Sequence, residues 1–207
     1  MYPSIQGEST HAGLPCFFIR LTGCPLRCRW CDTAYAFSGG TRTPISGILE
    51  AVEASGISLV EVTGGEPLAQ PNCPLLCRRL VDAGFTVLIE TAGSHPLELL
   101  PEGVIRIMDL KCPGSGEMES NLWSNLDQLV WRDEIKFVIA DRADFEWARG
   151  VVRTYRLERR VNAILFSPVF GEIDPAELVE WILEENLPVR FQLQLHKFIW
   201  DPSRTGV

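Results

Sequence analysis

The sequence predicts an α/β fold: a single-domain, incomplete (open) βα barrel of about six parallel strands. Three observations lead there. Short apolar runs rich in β-branched and aromatic residues recur along the chain, the composition of strands buried in a parallel sheet. Between them lie stretches with apolar residues at helical spacing and clear end signals. The chain has 207 residues, whereas a closed eight-unit barrel takes about 250. At roughly 30 residues per βα unit the chain falls short of closure. A doubly wound sheet is the alternative. In both, ligands gather at the carboxyl ends of the strands.

The strand runs, in order, are CFFIRL (16–21), LVEVT (59–63), TVLIE (86–90), IRIMDL (105–110), EIKFVI (134–139), NAILFS (162–167) and VRFQLQL (189–195). The segment TPISGILEAVEASG reads as a helix that Pro44 starts and Gly56 stops, with Ile45, Ile48, Leu49 and Val52 at helical spacing. PLLCRRLVDAG puts Leu76, Leu80 and Val81 on one face and ends at Gly84. DPAELVEWILEENLP has Asp174 as cap, Pro175 in the first turn and Pro188 beyond the end. RTYRLERR (153–160), the densest basic run, reads as the end of an amphipathic helix.

Residues 1–207 are expected to form one domain, since 46% hydrophobic and 22% charged content suits a soluble core-forming chain. No apolar run approaches the roughly 20 residues of a membrane helix. MYPSIQGEST lacks a basic segment followed by an apolar stretch, so no signal peptide is expected and the expected location is cytoplasmic. Seven cysteines in such a chain speak for metal or redox chemistry over disulfides. A net charge of −8 argues against nucleic acid, whose affinity comes from neutralised phosphates. A small-molecule substrate is expected.

GCPLRCRWCDT (23–33) follows the first strand run and holds Cys24, Cys28 and Cys31. Three cysteines at this spacing would serve a zinc site with a distant fourth ligand. Candidates for that ligand are Cys73, Cys77, Cys112, His11, His95 and His196, none at knuckle spacing. Cys73 and Cys77 read as small buried hydrophobes. The sharper reading is a [4Fe–4S] cluster, since thiolates suit iron–sulfur cubes and three ligands leave one iron open. VTGGEP (62–67) follows the second run, ETAG (90–93) the third, DLKCP (109–113) the fourth and FSP (166–168) the sixth, all where a ligand of such a fold would lie. Arg20 would point into the barrel if the strand alternates, and a guanidinium can grip a carboxylate with two bonds.

The C-x3-C-x2-C loop, with Trp30 before its last cysteine, resembles the radical S-adenosylmethionine superfamily. There the open iron is chelated by S-adenosylmethionine, which is cleaved to a 5′-deoxyadenosyl radical. The segments SIQGE, FIRLTGCPLRCRWCDT, TGGEP, ETAG and QLHK together resemble the 7-carboxy-7-deazaguanine synthase family within it, over most of the chain. The resemblance implies ring contraction of 6-carboxy-5,6,7,8-tetrahydropterin to 7-carboxy-7-deazaguanine with loss of ammonia, toward queuosine and related deazapurines. It implies a [4Fe–4S] cluster on Cys24, Cys28 and Cys31, S-adenosylmethionine, and Mg2+ on Thr33. Trp30, Cys31, Asp32, Gly65, Glu66, Asp109, Leu110, Lys111, Phe166, Ser167, Pro168 and Val169 would contact S-adenosylmethionine. Ile5, Gln6, Gly7, Arg20, Thr63, His196 and Val207 would contact the pterin. No side chain is assigned to catalysis, because the radical arises at the cluster-bound cosubstrate. The implied partners are an external electron donor of flavodoxin or ferredoxin type and a second copy of the chain.

The family commonly carries a short strand before SIQGE, whereas this sequence opens almost at that motif. Two other readings share parts of the pattern. An activase that makes a glycyl radical on a protein would have the cysteine loop and TGGEP without needing SIQGE or Arg20. A zinc-binding module would need the cysteines alone.

Overall fold

The strand runs pair in chain order. A computed structural model describes residues 1–207 and places every strand in one eight-stranded sheet, ordered β1-β2-β3-β4-β5-β6-β7-β8. The strands are β1 (Tyr2–Ile5), β2 (Pro15–Leu21), β3 (Leu59–Gly64), β4 (Thr86–Thr91), β5 (Ile105–Asp109), β6 (Glu134–Ile139), β7 (Ala163–Pro168) and β8 (Arg190–Phe191). Strands β2 to β8 run parallel, and β1 lies antiparallel on β2. The sheet is open, because β1 and β8 do not pair. No helix is long and apolar enough to cross a membrane.

The edges depart from the sequence reading. β1 was not anticipated, being four residues interrupted by Pro3, and proline without its N–H is tolerated on an edge strand. The last run is strand only over Arg190–Phe191. Beyond it the chain turns to the N-terminal loop, where Leu195 N donates to Gly7 O at 3.0 Å.

The helices are α1 (Ile45–Ser55), α2 (Cys73–Asp82), α3 (Arg142–Tyr155), α4 (Pro175–Glu184) and α5 (His196–Ile199). Gly56 stops α1 with φ 68°, a left-handed cap that costs glycine little. The Asp174 carboxylate accepts from Ala176 N and starts α4. The basic run ends α3 earlier than it reads, since Arg156 turns left-handed at φ 51° and Leu157–Arg159 wind as a 3₁₀ turn.

Strand alternation separates two faces. Val60, Val62, Ile89, Met108, Ile135, Phe137, Ile164 and Phe166 join the core under the helices. On the other face Cys16, Phe18, Leu59, Leu88 and Ile107 form a small apolar plug. Further along the strands on that face come Arg20, Glu61, Thr63, Glu90, Asp109 and Lys136, which line a cavity.

Candidate active site

The cysteine loop leaves β2 and is held from three sides. Gly23, at φ 91°, makes a turn that an L side chain rarely adopts, and its N–H donates to Ala36 O at 2.8 Å. Arg29 N donates to Ser115 O at 2.9 Å, and Arg29 Nε to Gly114 O at 3.2 Å. Arg29 also pairs with Glu172 at 2.7 Å. Behind these contacts, the Asp144 carboxylate accepts from Gly114 N at 2.7 Å. A Cβ on Gly114 would meet Asp144 Oδ2 at 2.6 Å. Sequence reasoning missed this support. Its one visible trace was the glycine pair in CPGSGE.

Cys24, Cys28 and Cys31 are free, partly exposed, and line one cavity of about 650 Å³. Cys16, Cys73, Cys77 and Cys112 are buried. Burial pushes the Cys24 and Cys28 thiols up. Three unspent soft donors around a shared recess fit the corners of an iron–sulfur cube.

The two glycines of TGGEP line the cavity and also let the chain pack closely on itself. A Cβ on Gly64 would lie 2.4 Å from Leu21 O, and one on Gly65 2.5 Å from Gly23 O and 2.8 Å from Cys24 Cβ. Gly65 N and Glu66 N donate to Leu21 O and Gly23 O at 3.1 and 2.8 Å. The Glu66 carboxylate is turned inward and accepts from Leu68 N, Thr91 Oγ1 and Ala92 N at 2.9, 2.8 and 2.7 Å. Burial pushes its carboxyl up against these bonds. Glu66 therefore fastens the loop to the end of β4.

Of the residues the resemblance assigns to the cluster, magnesium, cosubstrate and pterin, all line the cavity except Glu66, Leu110, Phe166, Ser167 and Pro168. Leu110 and Phe166 point into the helix-covered core, Ser167 is buried, and Pro168 borders a smaller apolar recess of about 240 Å³. Strand alternation explains Leu110, whose side chain faces the opposite way from that of its neighbour Asp109. Thr33 Oγ1 donates to Asp32 Oδ1 at 2.8 Å. Lys197 Nζ lies 2.8 Å from Asp32 Oδ2, tying α5 to the cysteine loop. Burial would raise the Asp32 carboxyl, but Lys197 and the Thr33 hydroxyl hold it well below the usual range. Burial pushes His196 down. A Cβ on Gly7 would sit 2.9 Å from His196 Nδ1.

The sequence reading reached Glu90, Asp109 and Lys111 in the charged floor of this cavity and passed over Lys136, Glu8 and Glu61. Lys136, 4% exposed, bonds Glu8 at 2.7 Å and Glu90, with Asp109 Oδ2 at 3.9 Å. Lys111 pairs with Asp109 at 2.8 Å. Burial works against charge on Lys136, yet Glu8, Glu90 and Asp109 hold its ammonium firmly protonated. Gln6 is clamped, its Nε2 donating to Glu61 and its Oε1 accepting from Glu8 N at 3.1 Å. Burial, then Glu90 and Glu8, push Glu61 up to about 8. The sign follows from linkage: a raised carboxyl adds stability that is full below its ordinary value of 4.5 and is lost as pH rises through about 8. Asp109 Oδ1 and Arg20 Nε are buried without a partner. Unpaired buried polar atoms are costly, and both of these belong to residues that line the cavity.

An open parallel half-barrel with three free cysteines at the strand ends defines a class. The family model of the radical SAM superfamily matches residues 18–110, which span the cysteine loop, TGGEP and β5. Its chemistry uses a [4Fe–4S] cluster and S-adenosylmethionine. The 7-carboxy-7-deazaguanine synthase of Koribacter versatilis is 48% identical over all of this chain and 98% of its own length. That of Chlorobaculum tepidum is 44% identical over all of this chain and 95% of its own. The chain belongs to the 7-carboxy-7-deazaguanine synthase family. In fold, the crystal structure of QueE from Escherichia coli is similar with a TM-score of 0.75 at 24% identity, over 94% of this chain and 91% of that one.

Proposed function

We propose that the chain, acting as one domain over residues 1–207, contracts 6-carboxy-5,6,7,8-tetrahydropterin to 7-carboxy-7-deazaguanine with release of ammonia. The observation that carries this reading is the company the cysteines keep. One cavity holds Cys24, Cys28 and Cys31, the guanidinium of Arg20, and the N-terminal loop of Ile5, Gln6 and Gly7. When bound, the cluster and S-adenosylmethionine supply a carbon radical that abstracts hydrogen. The rest falls to the chain. Cys24, Cys28 and Cys31 hold the iron. Trp30, Asp32, Gly65, Asp109, Lys111 and Val169 face the cosubstrate, with Glu66, Leu110, Phe166, Ser167 and Pro168 shaping the strand ends behind them. Arg20 takes the pterin carboxylate. Gln6, fixed by Glu61 and Glu8, Thr63, His196 and Val207 orient the ring. Lys136 keeps the Glu8 and Glu90 carboxylates ordered in the floor.

Three further parts belong to the same proposal: an electron donor of flavodoxin or ferredoxin type, a homodimer, and a cytoplasmic location. Anaerobic turnover of the reconstituted protein with the carboxytetrahydropterin, read by product mass, tests the reaction. Absence of the mass of 7-carboxy-7-deazaguanine from an enzyme that still cleaves S-adenosylmethionine would point to another substrate.

Magnesium is assigned to Thr33, whose hydroxyl is a weak ligand for a hard cation, so substrate and water would complete the shell. Thr33→Ala is expected to lower turnover and flatten its response to added magnesium, with iron content unchanged. Thr33→Ser keeps the hydroxyl and is expected to behave nearly as the parent. A magnesium titration identical for the parent and the alanine variant would remove Thr33 from the ion.

A further inference from the structure

Arg20 is only partly used by the protein. Its Nη1 donates to Gly64 O at 3.0 Å, and its Nη2 lies 3.5 Å from the Tyr2 hydroxyl. A guanidinium can only donate, so the tyrosine oxygen is the acceptor in that contact. The hydroxyl's own proton then has no acceptor in the protein, and Arg20 Nε has no partner either. Tyr2 is not placed there loosely. It pairs with Phe18 across the antiparallel β1–β2 ladder, and the two rings stack at 5.4 Å between centroids and 13° between planes. Phe18 and Arg20 share one face of β2, two residues apart, so the ladder brings the Tyr2 hydroxyl diagonally to the guanidinium. Both Tyr2 and Arg20 line the cavity.

We propose that Tyr2 is a second donor to the substrate carboxylate and with Arg20 sets the preference for a carboxylated pterin. The inference rests on the reading of Arg20 as the carboxylate holder. The neutral hydroxyl adds a hydrogen bond to a charged group without a further charge to bury. It also fixes one edge of the guanidinium, limiting the angles from which a carboxylate can be held.

The test is anaerobic calorimetric titration of reconstituted protein with S-adenosylmethionine present and no reductant, so that nothing turns over. Two ligands are compared, 6-carboxytetrahydropterin and tetrahydropterin without the carboxylate. Tyr2→Phe keeps the stacked ring and removes only the hydroxyl. It is expected to bind the carboxylated ligand about tenfold more weakly, the loss of one hydrogen bond to a charged group, and the carboxylate-free ligand as the parent does. Equal weakening for both ligands would make the hydroxyl structural and overturn the inference, as would no change for either. Arg20→Lys separates the levels. If it too leaves the carboxylated ligand unaffected, the reading of Arg20 falls; if it weakens that ligand while Tyr2→Phe does not, only the role of Tyr2 falls.

Discussion

A Cys28→Ala protein, reconstituted anaerobically with iron and sulfide, is expected to hold no [4Fe–4S] chromophore and to cleave no S-adenosylmethionine. A cube bound through three protein thiolates has no spare corner ligand. None of the other four cysteines can substitute, since Cys16, Cys73, Cys77 and Cys112 are buried and do not line the cavity. Cys73→Ala is the matched control. Its thiol is 1% exposed in the core, so the change is a small core truncation costing about 1 kcal/mol, with iron content near that of the parent. A Cys28→Ala protein with four irons and the parent's cleavage rate would overturn the assignment of the loop.

Removing the ammonium from the cavity floor should have the largest effect on stability. In Lys136→Met the side chain keeps its length and apolar stem but leaves Glu8, Glu90 and Asp109 facing one another. Breaking a buried ion pair from one side costs about 3–5 kcal/mol. For Glu8 the pH dependence should also reverse. In the parent, burial would raise Glu8, but Lys136 and Gln194 hold it below its ordinary value. Its contribution is therefore present above the unfolded pKa and lost as pH falls through the folded one. Without the ammonium, burial and mutual repulsion raise Glu8 and push Glu90, already raised by burial in the parent, higher still, so the variant should gain stability as the solution is acidified toward pH values near 5. Urea unfolding of both proteins at mildly acid and mildly alkaline pH reads this directly. A deficit that is the same at both would show that Lys136 does not neutralise this cluster.

Much of the fold was legible because buried parallel strands announce themselves. EIKFVI reads as a strand and is one at the same residues, Glu134–Ile139, and most inner strands match to within a residue. The edges were not legible. β1 has four residues and a proline, too little pattern for periodicity to act on, and it exists because β2 offers an open side. The site divides similarly. Cys24, Cys28 and Cys31 depend on local spacing and were plain. Glu61 and Lys136 sit in apolar runs where a charge is conspicuous, and a period of two would have aimed both at one face with Glu90 and Asp109. The Glu66 clasp depends on Thr91 and Ala92, about 25 residues away, and nothing in TGGEP itself tells a ligand group from a fastening. The brace on Arg29 from Ser115 and Gly114 is equally non-local.

The division of the seven cysteines also governs how the polypeptide meets electrophiles. Three thiols open onto the cavity and four are sealed in packed interior. A reagent such as iodoacetamide, applied without denaturant, should therefore carbamidomethylate only Cys24, Cys28 and Cys31 in cluster-free protein. In loaded protein the iron occupies the same sulfurs, and labelling there should be blocked. Peptide mapping after a brief pulse would then report the loaded fraction of a preparation, independently of colour or enzymatic rate.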